Sequence, residues 1–157
     1  MSNRLSALSL LRINHSTAVS ERPLFENVWI TSKEKVKLDL NKIKTEEDVI
    51  RATLEIEGYT EFDSRVYSAT FKIPKGKIST YGRIAKMIGS PKAYRAVANS
   101  LHKNPLFPVV ACHRVVKEDG SFGGIRKGAE GRCQHCIKEG IPIVKGKVTM
   151  HKDIIFG

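Results

Sequence analysis

Hydrophobic and polar positions along the chain change period as they run from the start towards residue 102. Ser6 to Ile13, Asn27 to Thr31 and the alternating Val36-Lys37-Leu38-Asp39-Leu40 read as short strands. Thr45 followed by Glu46, Glu47 and Asp48 is a helix start, because a side-chain cap satisfies free amides and an acidic first turn opposes the helix dipole. That helix is predicted to run to Glu57 and stop at Gly58. A second helix over Asp63–Phe71 puts Phe62, Val66, Ala69 and Thr70 on neighbouring turns, and Pro74 and Gly76 then break it. Thr80 caps a third, Tyr81–Ile88, whose Ile84, Ala85 and Ile88 keep a helical period. Gly89 ends it, and Ser90-Pro91 is predicted to open a fourth, with Ser90 as N-cap and Pro91 as its first residue. This helix runs to about His102 and carries Lys92, Arg95, Asn99 and Lys103 beside Ala93, Ala96, Val97 and Leu101. Two short helices joined by Gly89-Ser90 fit a helix-turn-helix, and they fit a plain αα-hairpin equally well.

Composition narrows the picture. A chain of 157 residues that is 41% hydrophobic has material for one ordinary domain, or a small domain with a smaller companion. No apolar stretch approaches the roughly 18 residues of a membrane span. Arg12, Asn14 and His15 interrupt the leucine-bearing start too early for a signal peptide, so a soluble, cytoplasmic protein is expected. Charge is unevenly divided. Residues 1–69 hold 10 Lys/Arg and 11 Asp/Glu, whereas residues 70–157 hold 17 and 5, a net of +12. The second half would attract a polyanion, although a merely solvated basic face has the same composition. The three cysteines, Cys112, Cys133 and Cys136, are too few for a disulfide framework and fit a reducing compartment. Cys133 and Cys136 form a single C-x-x-C without a second ligand pair, which is weak grounds for zinc. At i and i+3 of a helix, one of them packing in the core is the simpler expectation.

The candidate chemistry lies at Val110-Ala111-Cys112-His113-Arg114-Val115-Val116. An apolar run from Leu106 to Ala111 reads as a buried strand that delivers a cysteine to its end. Such a thiol is inert unless a neighbour stabilises its thiolate. His113 and Arg114 offer a base and a fixed positive charge, and Glu139, 27 residues beyond Cys112, is a candidate to orient the imidazole. Thiol, base and a group holding the base form the pattern of an activated nucleophile. The alternative is a small core hydrophobe beside a surface His-Arg pair.

Residues from about Phe62 to Glu139 resemble the C-terminal domain of the O6-alkylguanine-DNA alkyltransferases. The resemblance rests on Ile73-Pro74-Lys75-Gly76 with Thr80-Tyr81, on Ser90-Pro91-Lys92-Ala93-Tyr94-Arg95-Ala96-Val97, and on Asn104-Pro105. The Cys-His-Arg-Val-Val segment and Glu139-Gly140 complete it, in the family's order and spacing, with Ala111 where the family usually has proline. With the short strands read before residue 41, it implies an α+β chain: a small β-containing domain over 1–60, then a mainly helical DNA-binding domain over 61–157 that holds the helix-turn-helix and the cysteine.

The implied activity is a single, irreversible transfer of an alkyl group from guanine O6 to Cys112, with thymine O4 adducts as a further candidate substrate, and with no cofactor and no metal. His113 would take the thiol proton through a water, Glu139 would hold the imidazole, and Asn104 would brace the turn. At double-stranded DNA the resemblance points to Thr80, Tyr81, Lys92, Arg95, Ala96, Asn99 and Arg114. Tyr81 would sit beside a phosphate and Arg95 would fill the gap left by the extruded base. Ala96 and Ala98 would allow close approach to the minor groove. Val110, Ile125 and Arg126 are expected in the substrate pocket, the last two where the family presents tyrosine and serine. A monomer is expected. The rival reading is a non-catalytic sensor of alkylated DNA, a class that lacks the reactive cysteine.

Overall fold

The structure, a computed structural model, describes residues 39–157 in full and four earlier strand segments by their backbone. These segments are β1 (Arg12–His15), β2 (Pro23–Phe25), β3 (Val28–Ile30) and β4 (Val36–Asp39). They form an antiparallel sheet in the order β1-β4-β3-β2, with Trp29 opposite Leu38. Two of the expected strands coincide with β3 and β4. The third overlaps β1 only at Arg12 and Ile13, and its residues 6–11 lie outside the described ones.

Five helices follow: α1 (Glu46–Glu55), α2 (Glu61–Phe71), α3 (Tyr81–Met87), α4 (Tyr94–His102) and α5 (Arg126–Lys138). The fold is mixed and helix-dominated, as expected. Local chemistry explains the starts of the first two. Thr45 and Asp48 bond reciprocally to each other's backbone amides, and Thr60 and Asp63 do the same. Each capping box satisfies two otherwise free donors. α1 ends two residues earlier than expected, and Gly58 follows at φ +89.

Two expectations are overturned. Ser90 does not cap α4, which starts at Tyr94 with no side-chain cap. Ser90 is already committed to the end of α3. Its amide bonds Ala85 O at 2.9 Å while Gly89 N bonds Lys86 O at 3.0 Å, a Schellman closure with Gly89 at φ +79. A turn then carries the chain through Pro91 and Lys92, closed by Ala93 N to Ser90 O at 2.9 Å.

Nor is Leu106–Ala111 a strand. It is a run of turns. Pro105 and Pro108 lack the donors a ladder needs. Asn104 replaces the ladder by accepting from Leu106 N at 2.9 Å and donating to Val110 O at 2.7 Å. Cys112–Arg114 then forms one 3-10 turn.

Two short strands bring the distant parts together. β5 (Ser79–Thr80) pairs parallel with β6 (Val115–Val116), so the start of α3 lies beside the residues that follow Cys112. Strand alternation sends Val115 into one apolar cluster and Val116 into another. The first cluster runs from Leu40, Val49 and Ile56 through Val66, Tyr67 and Ile84 to Leu101 and Val110. It crosses residue 60 without a break. The second joins Ile78 and Val116 to Cys136, Ile141 and Val148, near the hairpin of β7 (Ile143–Val144) and β8 (Lys147–Val148).

Candidate active site

Cys112 is half-buried at the head of the 3-10 turn, its amide bonded to Val110 O at 3.0 Å. Burial pushes its thiol above the ordinary range, while a hydrogen bond from the Asn104 side chain, the charge of Arg132 and local amides pull the other way. His113 is buried beside it. Its Nε2 lies 2.5 Å from Glu139 Oε2. Arg114 clamps the same carboxylate, Nε to Oε1 at 2.9 Å and Nη2 to Oε2 at 2.9 Å, and donates from Nη1 to Ile73 O at 2.8 Å.

This arrangement decides the protonation states. Burial raises the Glu139 carboxyl, but Arg114 and then His113 outweigh it and hold it down to about 2. An ionised carboxylate only accepts, so Nε2 of His113 carries the hydrogen. Burial also lowers the His113 imidazole against the opposing pull of Glu139. A neutral ring protonated at Nε2 leaves a bare lone pair on Nδ1. That Nδ1 is buried and has no hydrogen-bond partner among the described residues. The site therefore presents a base with its acceptor nitrogen unused.

Two other helices frame it. Tyr81, the first residue of α3, is buried, with Oη 3.2 Å from His102 Nε2 and its ring edge-on to the imidazole. Tyr81 and His102 line a cleft of about 420 Å³ together with Tyr94, Arg95, Ala98 and Gly123. α4 buries Val97, Ser100 and Leu101, and turns Arg95, Ala96 and Asn99 outwards. α2 anchors its last turn: Tyr67 Oη donates to Ser100 O at 2.6 Å, and Asp63 accepts from Ser100 Oγ and pairs with Lys103 at 3.2 Å.

Residues 61–141 match the family described as 6-O-methylguanine DNA methyltransferase, DNA binding domain. The chain belongs to this family. A methylated-DNA--protein-cysteine methyltransferase of Methanosarcina acetivorans is 33% identical over 118 residues, covering 65% of this chain and 76% of that protein. A namesake from Methanosarcina mazei is 45% identical over 71 residues, covering 45% of each. Among solved structures, Schizosaccharomyces pombe Atl1 in complex with damaged DNA containing O6-carboxymethylguanine superposes with a TM-score of 0.56 at 29% identity, over 62% of this chain and 95% of that one.

The structure brings Cys112, His113, Glu139 and Asn104 together, and Lys92, Arg95, Ala96 and Asn99 are all exposed. The expected placements of five residues are corrected. Arg114 does not face outwards to DNA, since its guanidinium is committed to Glu139 and Ile73. Thr80 is fully buried, donating to Glu118 Oε1 at 2.6 Å and accepting from Arg83 N at 3.1 Å. Val110 turns its side chain into the core and offers only its carbonyl. Ile125 and Arg126 are not in the pocket. Gly124, at φ +84, turns the chain so that Ile125 becomes the exposed N-cap of α5, and Arg126 pairs with Glu130 in solvent.

Sequence reasoning missed Arg132 and His135 on α5. Together with Cys136 and the C-cap Glu139 they fall at i, i+3, i+4 and i+7, one face of the helix. His135 stacks 5.3 Å from the His113 ring and 5.0 Å from Phe107. Cys136 is the core cysteine of the C-x-x-C; its Sγ donates to His113 O at 2.9 Å, and burial pushes the thiol up to about 12. The helical spacing counted back from Glu139 was the available signal.

Proposed function

We propose that the chain repairs O6-alkylguanine in duplex DNA by accepting the alkyl group on Cys112, once per molecule. The observation that carries this reading is the neutral His113, next in sequence to Cys112 and locked through Nε2 to an ionised Glu139, with its buried Nδ1 left bare. A thiol needs such a base, because the thiolate is the nucleophile. The names of the Methanosarcina relatives agree with a cysteine acceptor.

The chemistry balances without an external electron donor. The Cys112 proton passes to His113 Nδ1, directly or through water. Sγ attacks the alkyl carbon, an S–C bond forms, and the C–O6 bond breaks with its electron pair going to guanine. The purine takes up one proton and becomes ordinary guanine, leaving S-alkylcysteine. A thioether offers no leaving group for return, so the protein is consumed.

Guanine O6 is inaccessible to a thiol inside stacked duplex, so the nucleotide must be extruded. Arg95 is the side chain suited to fill the gap, with Lys92 and Asn99 beside it and Tyr81 lining the cleft behind. Ala96 and Ala98 leave room for α4 in the minor groove. The basic half supplies affinity through counterion release. We place the protein as a monomer in the cytoplasm, where free thiols persist. No described helix is long and apolar enough to cross a membrane.

The test is intact mass after incubation with duplex DNA carrying O6-methylguanine, followed by peptide mapping. A gain of one methyl on Cys112, absent in Cys112→Ala, is expected. DNA binding without any mass gain would make the chain a lesion sensor. A methyl on Cys133 would overturn the assignment.

A further inference from the structure

We propose that Arg132 is a positioning residue of the transfer site, pinning the loop that walls the cleft and supplying the uncompensated positive charge that favours the Cys112 thiolate. This rests on the reading of Cys112 as alkyl acceptor.

The loop contact is specific. Arg132 Nη2 donates to the carbonyl of Gly123, whose α-carbon lies so close to Tyr81 and His102 that a Cβ there would sit 2.8 Å from Tyr81 Oη and 3.3 Å from His102 Nε2. The neighbouring glycines are shaped around the same guanidinium. A Cβ at Gly124 would fall 2.8 Å from Nη2, and one at Gly128 would fall 3.2 Å from Nη1. Arg132 thus threads between the loop and its own helix, and any side chain at Gly124 would displace it. Its Nε is buried and unpartnered among the described residues.

Charge gives the second half of the argument. Two arginines border the site, Arg132 acting on the thiol and Arg114 on Glu139, and they differ in their partners. Arg114 is neutralised by the Glu139 carboxylate. Arg132 has no carboxylate within ion-pair distance among the described residues. The titratable groups around Cys112 are Tyr67 from α2, Tyr81 from α3, Cys136 and Arg132 from α5, and His113 in the same turn. Both tyrosines and Cys136 are held in their neutral, protonated forms by burial, and His113 is kept neutral too. Arg132 is the fixed cation left to oppose the burial of the thiolate. A positive charge facing a forming thiolate favours ionisation, most strongly where water is excluded.

The experiment measures the rate of Cys112 carboxamidomethylation by iodoacetamide against pH, read by site-resolved peptide mass, in wild type, Arg132→Gln and Arg132→Lys. Transfer from O6-benzylguanine free base is followed in parallel. Arg132→Gln is expected to move the midpoint of the Cys112 profile upwards, so that the rate near neutral pH falls about tenfold and recovers in alkali. Arg132→Lys, which keeps the charge and loses the fork, is expected to hold the midpoint while slowing transfer of the free base. An unmoved midpoint in Arg132→Gln overturns the proposal. So does a midpoint in Arg132→Lys shifted away from wild type, and this variant decides the matter if Arg132→Gln fails to fold. Iodoacetamide reports the thiol whether or not wild type accepts alkyl groups, so failure of the parent reading is seen separately.

Discussion

Thr80 donates its hydroxyl to Glu118 across 2.6 Å, and the carboxylate so held lies against Gly82 in the wall of the cleft beside Arg95. An acidic side chain thus stands on the surface proposed to receive a phosphate backbone. Replacing it with a neutral isostere removes repulsion and leaves the cavity shape nearly unchanged. Glu118→Gln should bind duplex DNA about three to ten times more tightly at low salt, with the gain shrinking as salt screens it. Fluorescence anisotropy at two ionic strengths measures this. Unchanged or weaker binding would mean that DNA does not approach Glu118.

Glu139 serves Arg114 and His113 together, so its loss should be felt twice. Glu139→Gln should slow single-turnover transfer by about two to four orders of magnitude. It also strands Arg114, whose side chain is 18% exposed, and breaking such a pair costs about 3–5 kcal/mol. His113→Gln should show the slowing with a smaller loss of stability. Rapid-quench transfer and chemical denaturation separate the two effects.

The pH dependence follows from His113 and Glu139. With His113 held below the ordinary imidazole range, the transfer rate should fall only at pH values below that range, where Nδ1 becomes protonated. Glu139 is depressed from 4.5 to about 2, so its stabilising contribution is full above 4.5 and fades as pH falls towards 2. In Glu139→Gln that fading should disappear from the acid-unfolding curve. An acid limb of the rate at or above ordinary histidine titration would contradict the assignment of His113 as a neutral base.

Arg95 is exposed on α4 and free to enter a duplex. Arg95→Ala should slow repair of O6-methylguanine in duplex DNA far more than transfer from O6-benzylguanine, which needs no extrusion. Extrusion costs a few kcal/mol, and the finger offsets part of it. Equal slowing of both substrates would make Arg95 a structural residue of the helix.

What the amino-acid order determined by itself was local. Thr45 and Thr80 cap helices because a cap bonds amides two or three residues away. Cys112 and His113 are recognisable as thiol and base because they are adjacent, and Glu139 as the group holding the base through the alkyltransferase resemblance. The tertiary structure decided everything that depends on a partner far along the chain. Arg114 finds Glu139 25 residues on, Thr80 finds Glu118 38 residues on, and Arg132 finds the carbonyl of Gly123 through a loop. Residue type alone does not say whether a cation or a hydroxyl faces DNA or a carboxylate of the same chain, so the pattern points Arg114 and Thr80 to the wrong side. Leu106–Ala111 was misread for a related reason: its apolar pattern records burial, which a turn braced by Asn104 achieves as well as a strand does. Burial and pairing set the protonation of His113 and Glu139, and these exist only once α5 has packed against the Cys112 turn.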